Sequence, residues 1–62
     1  MIDVVNLLPV SRKSHSRVGK KLVTAVVEQR HHDGRMFCTF RNGYSCWIPA
    51  DGGDDFRVLP ED

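Results

Sequence analysis

The sequence predicts an all-β fold, a small five-stranded antiparallel barrel with a basic loop near its N-terminus. Three observations lead to it. Apolar residues come in short runs, the longest four or five residues, set apart by turn-forming dipeptides such as Asp33-Gly34 and Asn42-Gly43. The stretch Val23-Thr24-Ala25-Val26-Val27 is dominated by β-branched side chains, which lose χ1 freedom in a helix and pack well on a pleated surface. The chain is 62 residues long, which sets it out as one domain over residues 1–62. A chain of that size buries only about 60% of the surface its unfolded form exposes.

The elements follow in order. Residues 1–9 are apolar (Ile2, Val4, Val5, Leu7, Leu8) and end at Pro9. Asp3 would cap a helical turn, but Val4 and Val5 favour a strand, and Pro9 pushes Leu8 toward extended backbone. A short edge strand is expected. Residues 10–19 are polar and basic, with Ser11, Ser14 and Ser16, and read as a loop or arm. Over residues 20–29, Leu22, Ala25, Val26 and Gln29 fit one helix face. The segment is short for a helix and rich in β-branching, so a strand is expected. Asp33-Gly34 then supplies a hairpin turn in which both residues tolerate positive φ. Met36 to Phe40 and Tyr44 to Ile48 form the next two strands, the second stopped by Pro49. Residues 51–54 form an acidic, Gly-rich loop. Residues 56–59 form a last strand or a single helical turn, closed by Pro60.

The hairpin at Asn42-Gly43 admits two registers. A two-residue turn pairs Arg41 with Tyr44 and puts Cys38 and Cys46 on opposite faces. A three-residue loop (Arg41, Asn42, Gly43), with Gly43 left-handed, pairs Phe40 with Tyr44 and Cys38 with Cys46. The second collects Met36, Cys38, Phe40, Tyr44, Cys46 and Ile48 on one face, and register follows the pairing that buries a coherent apolar face. It turns Phe37, Thr39, Arg41, Ser45 and Trp47 outward. An exposed Phe37–Trp47 pair would mark a binding site, unless the N-terminal segment or a bent sheet covers it.

The formal net charge of +1 hides an uneven distribution. Ser11 to Lys21 holds five Lys or Arg (Arg12, Lys13, Arg17, Lys20, Lys21), plus His15, and no acid. Ala50 to Asp62 holds five acids (Asp51, Asp54, Asp55, Glu61, Asp62) against Arg57. Such asymmetry suggests a basic arm able to meet an anion, set against the plainer reading of two solvated charge runs. No apolar run approaches the ~20 residues needed to cross a membrane. No charged leader with a cleavage site opens the chain, so a cytoplasmic, reduced protein is expected.

The candidate chemistry is sparse. Cys38 and Cys46 would sit close enough to bridge if oxidised, or serve as small core residues. The ligand types His15, His31, His32, Cys38 and Cys46 lack the short paired spacing of zinc sites, so neither metal nor cofactor is expected. Nucleophilic catalysis needs a base and an orienting group beside the cysteine, and a single core this small rarely yields more than ~3–5 kcal/mol to hold a rigid pocket. The chain is not expected to be an enzyme.

The stretch Cys38-Thr39-Phe40-Arg41-Asn42-Gly43-Tyr44-Ser45-Cys46-Trp47-Ile48-Pro49-Ala50, followed by Asp54-Asp55-Phe56-Arg57-Val58-Leu59-Pro60, resembles the second half of a Tudor-like small barrel of the Src-homology-3 type. Phe40, Asn42-Gly43, Trp47-Ile48-Pro49 and Asp55-Phe56-Arg57 stand where such barrels place a Phe, an Asp-Gly turn, a Trp-hydrophobe-Pro step and an Asp-aliphatic-Arg ending. Gly19 to Val27 is similar to the family's opening strand, so the resemblance spans about residues 18–60. It implies an SH3-like or Tudor-like barrel. Members that read methylated Lys or Arg hold the cation in an aromatic cage. Here Phe37, Phe40, Tyr44, Trp47 and Phe56 include rings the core needs, and residues 29–34 lack the usual first-loop aromatic.

Two functions are therefore expected. The first is a protein-interaction module or regulatory adaptor that binds a partner through Phe37, Arg41, Tyr44, Trp47, Asp54 and Asp55. The alternative is nucleic-acid binding through Arg12, Lys13, Arg17, Lys20, Lys21 and Arg35 with exposed aromatics. Unpaired edge strands and a small core would also suit a homodimer.

Overall fold

The computed structural model describes residues 2–60. Six elements are present: β1 (Val4–Pro9), α1 (Arg12–Val18), β2 (Val23–Arg30), β3 (Met36–Thr39), β4 (Ser45–Ile48) and β5 (Phe56–Leu59). All strand pairs are antiparallel, in the order β4-β3-β2-β1-β5. The sheet curls into a half-barrel. Among the described residues no ladder joins β4 to β5, so the expected barrel stays open along one side. Helix α1 lies over that opening. Its Lys13, Ser14 and Arg17 line a cleft together with Tyr44 and Ile48 from the β4 side and Phe56 from β5.

Alternation along the strands builds the core. Leu7, Ala25, Val27, Met36, Cys38, Phe40, Ile48 and Phe56 are buried on the concave side. Val5, Val18, Val23, Tyr44, Cys46 and Val58 pack around them. Phe40 leaves β3 and Phe56 opens β5, and their rings stack 5.6 Å apart across the open side. A β-bulge between Val27 and Gln29 resets the phase of β2, so that Val27 opposes Cys38 and Gln29 opposes Phe37. A bulge bends its strand and sharpens the local twist, which helps so short a sheet curl.

The β3–β4 register is the one that buries a single apolar face: Met36 opposes Ile48, Phe37 opposes Trp47, and Cys38 opposes Cys46. The Phe40 N–H donates to the Tyr44 carbonyl at 2.8 Å, and the Gly43 N–H to the Phe40 carbonyl at 2.9 Å. Gly43 has φ +93°, the left-handed residue of a three-residue hairpin loop. The β2–β3 loop repeats this design, with the His31 N–H donating to the Arg35 carbonyl at 2.8 Å and Gly34 at φ +100°. The turn forms as expected at Asp33-Gly34, and among the described residues only glycines take positive φ. The Asp33 carboxylate accepts the Arg35 backbone N–H at 3.0 Å, an Asx-type closure that leaves the left-handed step to Gly34 alone.

Two further expectations are corrected. The first strand is interior rather than an edge, because β1 pairs with both β2 and β5. Pro9 is tolerated as its last residue. The Val10 N–H supplies the next bond on the β5 side, donating to the Asp55 carbonyl at 2.8 Å. Residues 12–18 are a helix, not a loop. Seven residues do not hold a helix alone; tertiary bonds do. Ser11 accepts the Ser14 N–H at 3.0 Å, and Ser14 Oγ accepts the Ser11 N–H at 3.1 Å, a reciprocal capping box. Ser11 Oγ also donates to the Asp55 carboxylate at 2.6 Å, putting negative charge at the helix N-terminus. The residues 20–29 expected to be extended do form β2, from Val23, and residues 56–59 form β5 rather than a helical turn. Glu61 and Asp62 of the acidic end lie outside the described residues.

Candidate interaction surface

The outer face of the sheet carries one aromatic ledge. Trp47 in β4 is 43% exposed. Its ring lies 5.3 Å from that of Phe37, its cross-strand partner in β3, at an interplanar angle of 57°. The Arg35 guanidinium sits 5.5 Å from the indole centroid, within cation–π reach. His31 meets the same indole edge-on at 6.4 Å, and His32 stands 4.2 Å from His31. The β2–β3 loop thus delivers a cation and one imidazole to the ring, with a second imidazole beside the first.

Asp33 holds this loop in shape. It accepts the Arg35 Nε–H at 2.9 Å, and its Oδ1 lies 3.0 Å from His31 Nδ1. The bond from the Arg35 backbone N–H is the main influence holding its carboxyl below the usual range, with the Arg35 and His31 side chains adding to it. Arg35 is therefore oriented over the indole by a local acid.

A second constellation lies under α1. The Arg17 guanidinium is 5.4 Å from the Tyr44 ring centroid. Lys13, Arg17, Tyr44, Cys46 and Asp55 line a cleft of about 80 Å³, room for little more than solvent. Burial pushes the Cys38 thiol up to about 11 and also raises Cys46 and Tyr44. Both cysteines are free, so these directly opposed thiols stay protonated at neutral pH and are poor nucleophiles.

The structure divides the residues expected to bind a partner. Phe37 and Trp47 share the outer face. Tyr44 turns inward toward the mouth of the half-barrel, in keeping with its place on the core-facing row. Asp55 is half-buried and engaged by Ser11, so it is a helix-capping group rather than a free acidic rim. Asp54 is exposed in the 49–55 loop, and Arg41 is exposed at the β3–β4 tip. Of the residues expected to meet nucleic acid, Arg12, Lys13 and Arg17 stand exposed on α1. Lys20 and Lys21 are exposed in the turn that follows it, while Arg35 belongs to the Trp47 ledge. His31 and His32 were not among the expected contacts. Extending the register outward from Phe37–Trp47 would have found them, because the 31–35 loop closes the same end of the sheet.

No group of three His, Cys, Asp or Glu side chains converges for a metal among the described residues. Among the described residues no helix is long and apolar enough to cross a membrane. Comparison with protein-family models, curated proteins and solved structures finds no match.

Proposed function

We propose that this chain is a small non-enzymatic interaction module, a barrel of the Src-homology-3 or Tudor type, that grips a protein partner through the Trp47 ledge. The observation carrying this reading is the outward indole of Trp47, backed by Phe37 and overlaid by Arg35. Trp and Arg are the side chains most often responsible for binding energy at protein interfaces. The curled five-stranded antiparallel sheet supports the small-barrel family, and the two free thiols suit a reducing, cytoplasmic setting. The test is capture from nuclease-treated lysate by the wild-type protein and by Trp47→Ala. A discrete protein retained only by the wild type supports the reading. Equal retention by both, or release of everything by nuclease, contradicts it.

One observation favours nucleic acid as a second reading: Arg12, Lys13, Arg17, Lys20 and Lys21 all belong to α1 or the turn leaving it. Phosphate binding by such a cluster weakens steeply with salt. Titration with single- and double-stranded oligonucleotides at rising ionic strength tests it, and absence of affinity at low salt ends it.

A further inference from the structure

A groove separate from the Trp47 ledge runs between the end of α1, the start of β2 and the β3–β4 tip. It has a volume of about 350 Å³ and is lined by Val18, Leu22, Val23, Thr24, Phe40, Arg41 and Asn42. Leu22 is 54% exposed, a large aliphatic side chain left in solvent on one wall. The groove is held in shape by hydrogen bonds. The Asn42 side-chain N–H donates to the Arg17 carbonyl at 2.8 Å, and Asn42 Oδ1 accepts the Tyr44 N–H at 2.9 Å. These bonds tie the hairpin tip to the last turn of the helix. Gly19, at φ +90°, then swings the chain out of α1 toward Lys20, Lys21 and Leu22.

The rim is cationic and unopposed. Arg41 lines the groove, and the exposed Lys20 and Lys21 directly precede Leu22 in the chain. None of the groove's lining residues is acidic, and among the described residues none of these three cations has a carboxylate partner. The carboxylates in salt bridges bind elsewhere, Asp3 to Arg30 and Asp33 to Arg35 and His31. We infer that this groove docks an acidic peptide segment carrying a bulky aliphatic side chain. The aliphatic side chain fills the space beside Leu22 and Val18, and its flanking carboxylates meet Lys20, Lys21 and Arg41.

The floor decides between a peptide and a nucleic acid. Base binding without sequence preference needs open aromatic faces. Phe40 is only 3% exposed and stacked on Phe56, the Tyr44 ring is overlaid by Arg17, and Trp47 stands on the outer face. Val18, Leu22 and Val23 give the groove an aliphatic wall, which suits a Leu or Ile side chain. The site is independent of the Trp47 ledge.

Fluorescence polarisation tests it with three labelled probes: a short peptide alternating Glu with Leu, the same peptide with Ser for Leu, and an oligothymidylate of equal length. The Glu/Leu peptide binds the wild-type protein, more weakly as salt rises. Replacing its Leu by Ser, or making Leu22→Ser in the protein, weakens binding by about tenfold or more, since each removes apolar burial. The double variant Lys21→Glu, Arg41→Glu weakens it at least as much, while Trp47→Ala leaves it unchanged. Leu22, Lys21 and Arg41 are exposed, and circular dichroism verifies that their variants fold. The inference is overturned if the Glu/Leu peptide does not bind, if the Ser peptide binds equally, if oligothymidylate binds more tightly, or if the folded groove variants bind normally. Loss of binding on Trp47→Ala alone would assign the peptide to the ledge and also overturn it.

Discussion

Gly52 offers the sharpest test of how the loop leading into β5 is built. It is buried, at φ +91°, with its N–H donating to the Pro49 carbonyl at 2.9 Å and its carbonyl accepting the Phe56 N–H at 3.2 Å. A Cβ there would lie 2.3 Å from the Phe56 carbonyl oxygen and 2.7 Å from the Phe56 carbonyl carbon. Gly43 has nearly the same backbone, φ +93°, but nothing within 4 Å of an added Cβ. Alanine at either site brings a left-handed cost of about 1–2 kcal/mol. Only at Gly52 must backbone also move, and the backbone in the way is that of Phe56, whose ring packs on Phe40. Losing the packing of a buried Phe costs about 3–5 kcal/mol, which bounds the added penalty. A domain this small has only ~3–5 kcal/mol to lose. Gly52→Ala is therefore expected to be largely unfolded without denaturant, and Gly43→Ala to fold with a modestly lower urea midpoint. Urea titrations followed by far-ultraviolet circular dichroism compare the two. A Gly52→Ala midpoint equal to that of Gly43→Ala would refute the close approach of the loop to β5.

Other outcomes follow from the same geometry. Ser11→Ala removes the α1 cap and the bond to Asp55, and is expected to cost about 1 kcal/mol or somewhat more in urea denaturation; an unchanged midpoint would show that α1 is held by other contacts. Ile48 and Trp47 are neighbours in β4 with 1% and 43% exposure. Ile48→Ala should cost about 2–5 kcal/mol and Trp47→Ala far less, and the reverse order in thermal unfolding would contradict the assigned faces. Burial raises Cys38 from an ordinary 9.0 to about 11, so the folded state keeps this proton more tightly than the unfolded state does. That contribution to stability is fully present below pH 9 and is lost as pH rises toward 11. Iodoacetamide at neutral pH should accordingly modify the folded protein much more slowly than the urea-unfolded chain, and equal rates would contradict burial of the thiol.

The hairpin was legible because its two strands carry one consistent alternation. Only the three-residue loop puts Met36, Cys38, Phe40, Tyr44, Cys46 and Ile48 together, and a slip of one residue would scatter them. The β-branched run Val23 to Val27 likewise settled β2 against a helix. Helix α1 was not legible. Arg12-Lys13-Ser14-His15-Ser16-Arg17 shows no apolar stripe; Ser14 is its one fully buried residue, and of the helix's side chains only Val18 adds apolar packing to the core. The Ser11/Ser14 cap was a local hint, but with Ser rather than Glu or Gln at the third position it was a faint one. Its main support, Asp55, stands 44 residues away. The interior place of β1 was hidden for a similar reason: Pro9 suggested an edge, whereas it merely ends a strand whose earlier residues pair on both sides. The Phe37–Trp47 half of the proposed binding surface came from alternation alone. The contribution of Arg35 and His31 depended on where a loop folds back.

The proposed partner surface requires the indole of the protein's single tryptophan to face water on the outer sheet face. Acrylamide quenching of the folded protein's fluorescence measures this directly. A Trp47 with 43% of its surface in water gives red-shifted emission that acrylamide quenches readily in the folded protein, at a substantial fraction of the efficiency seen in the urea-unfolded chain. Blue-shifted emission strongly shielded from acrylamide would place the ring inside the protein and remove the proposed partner surface.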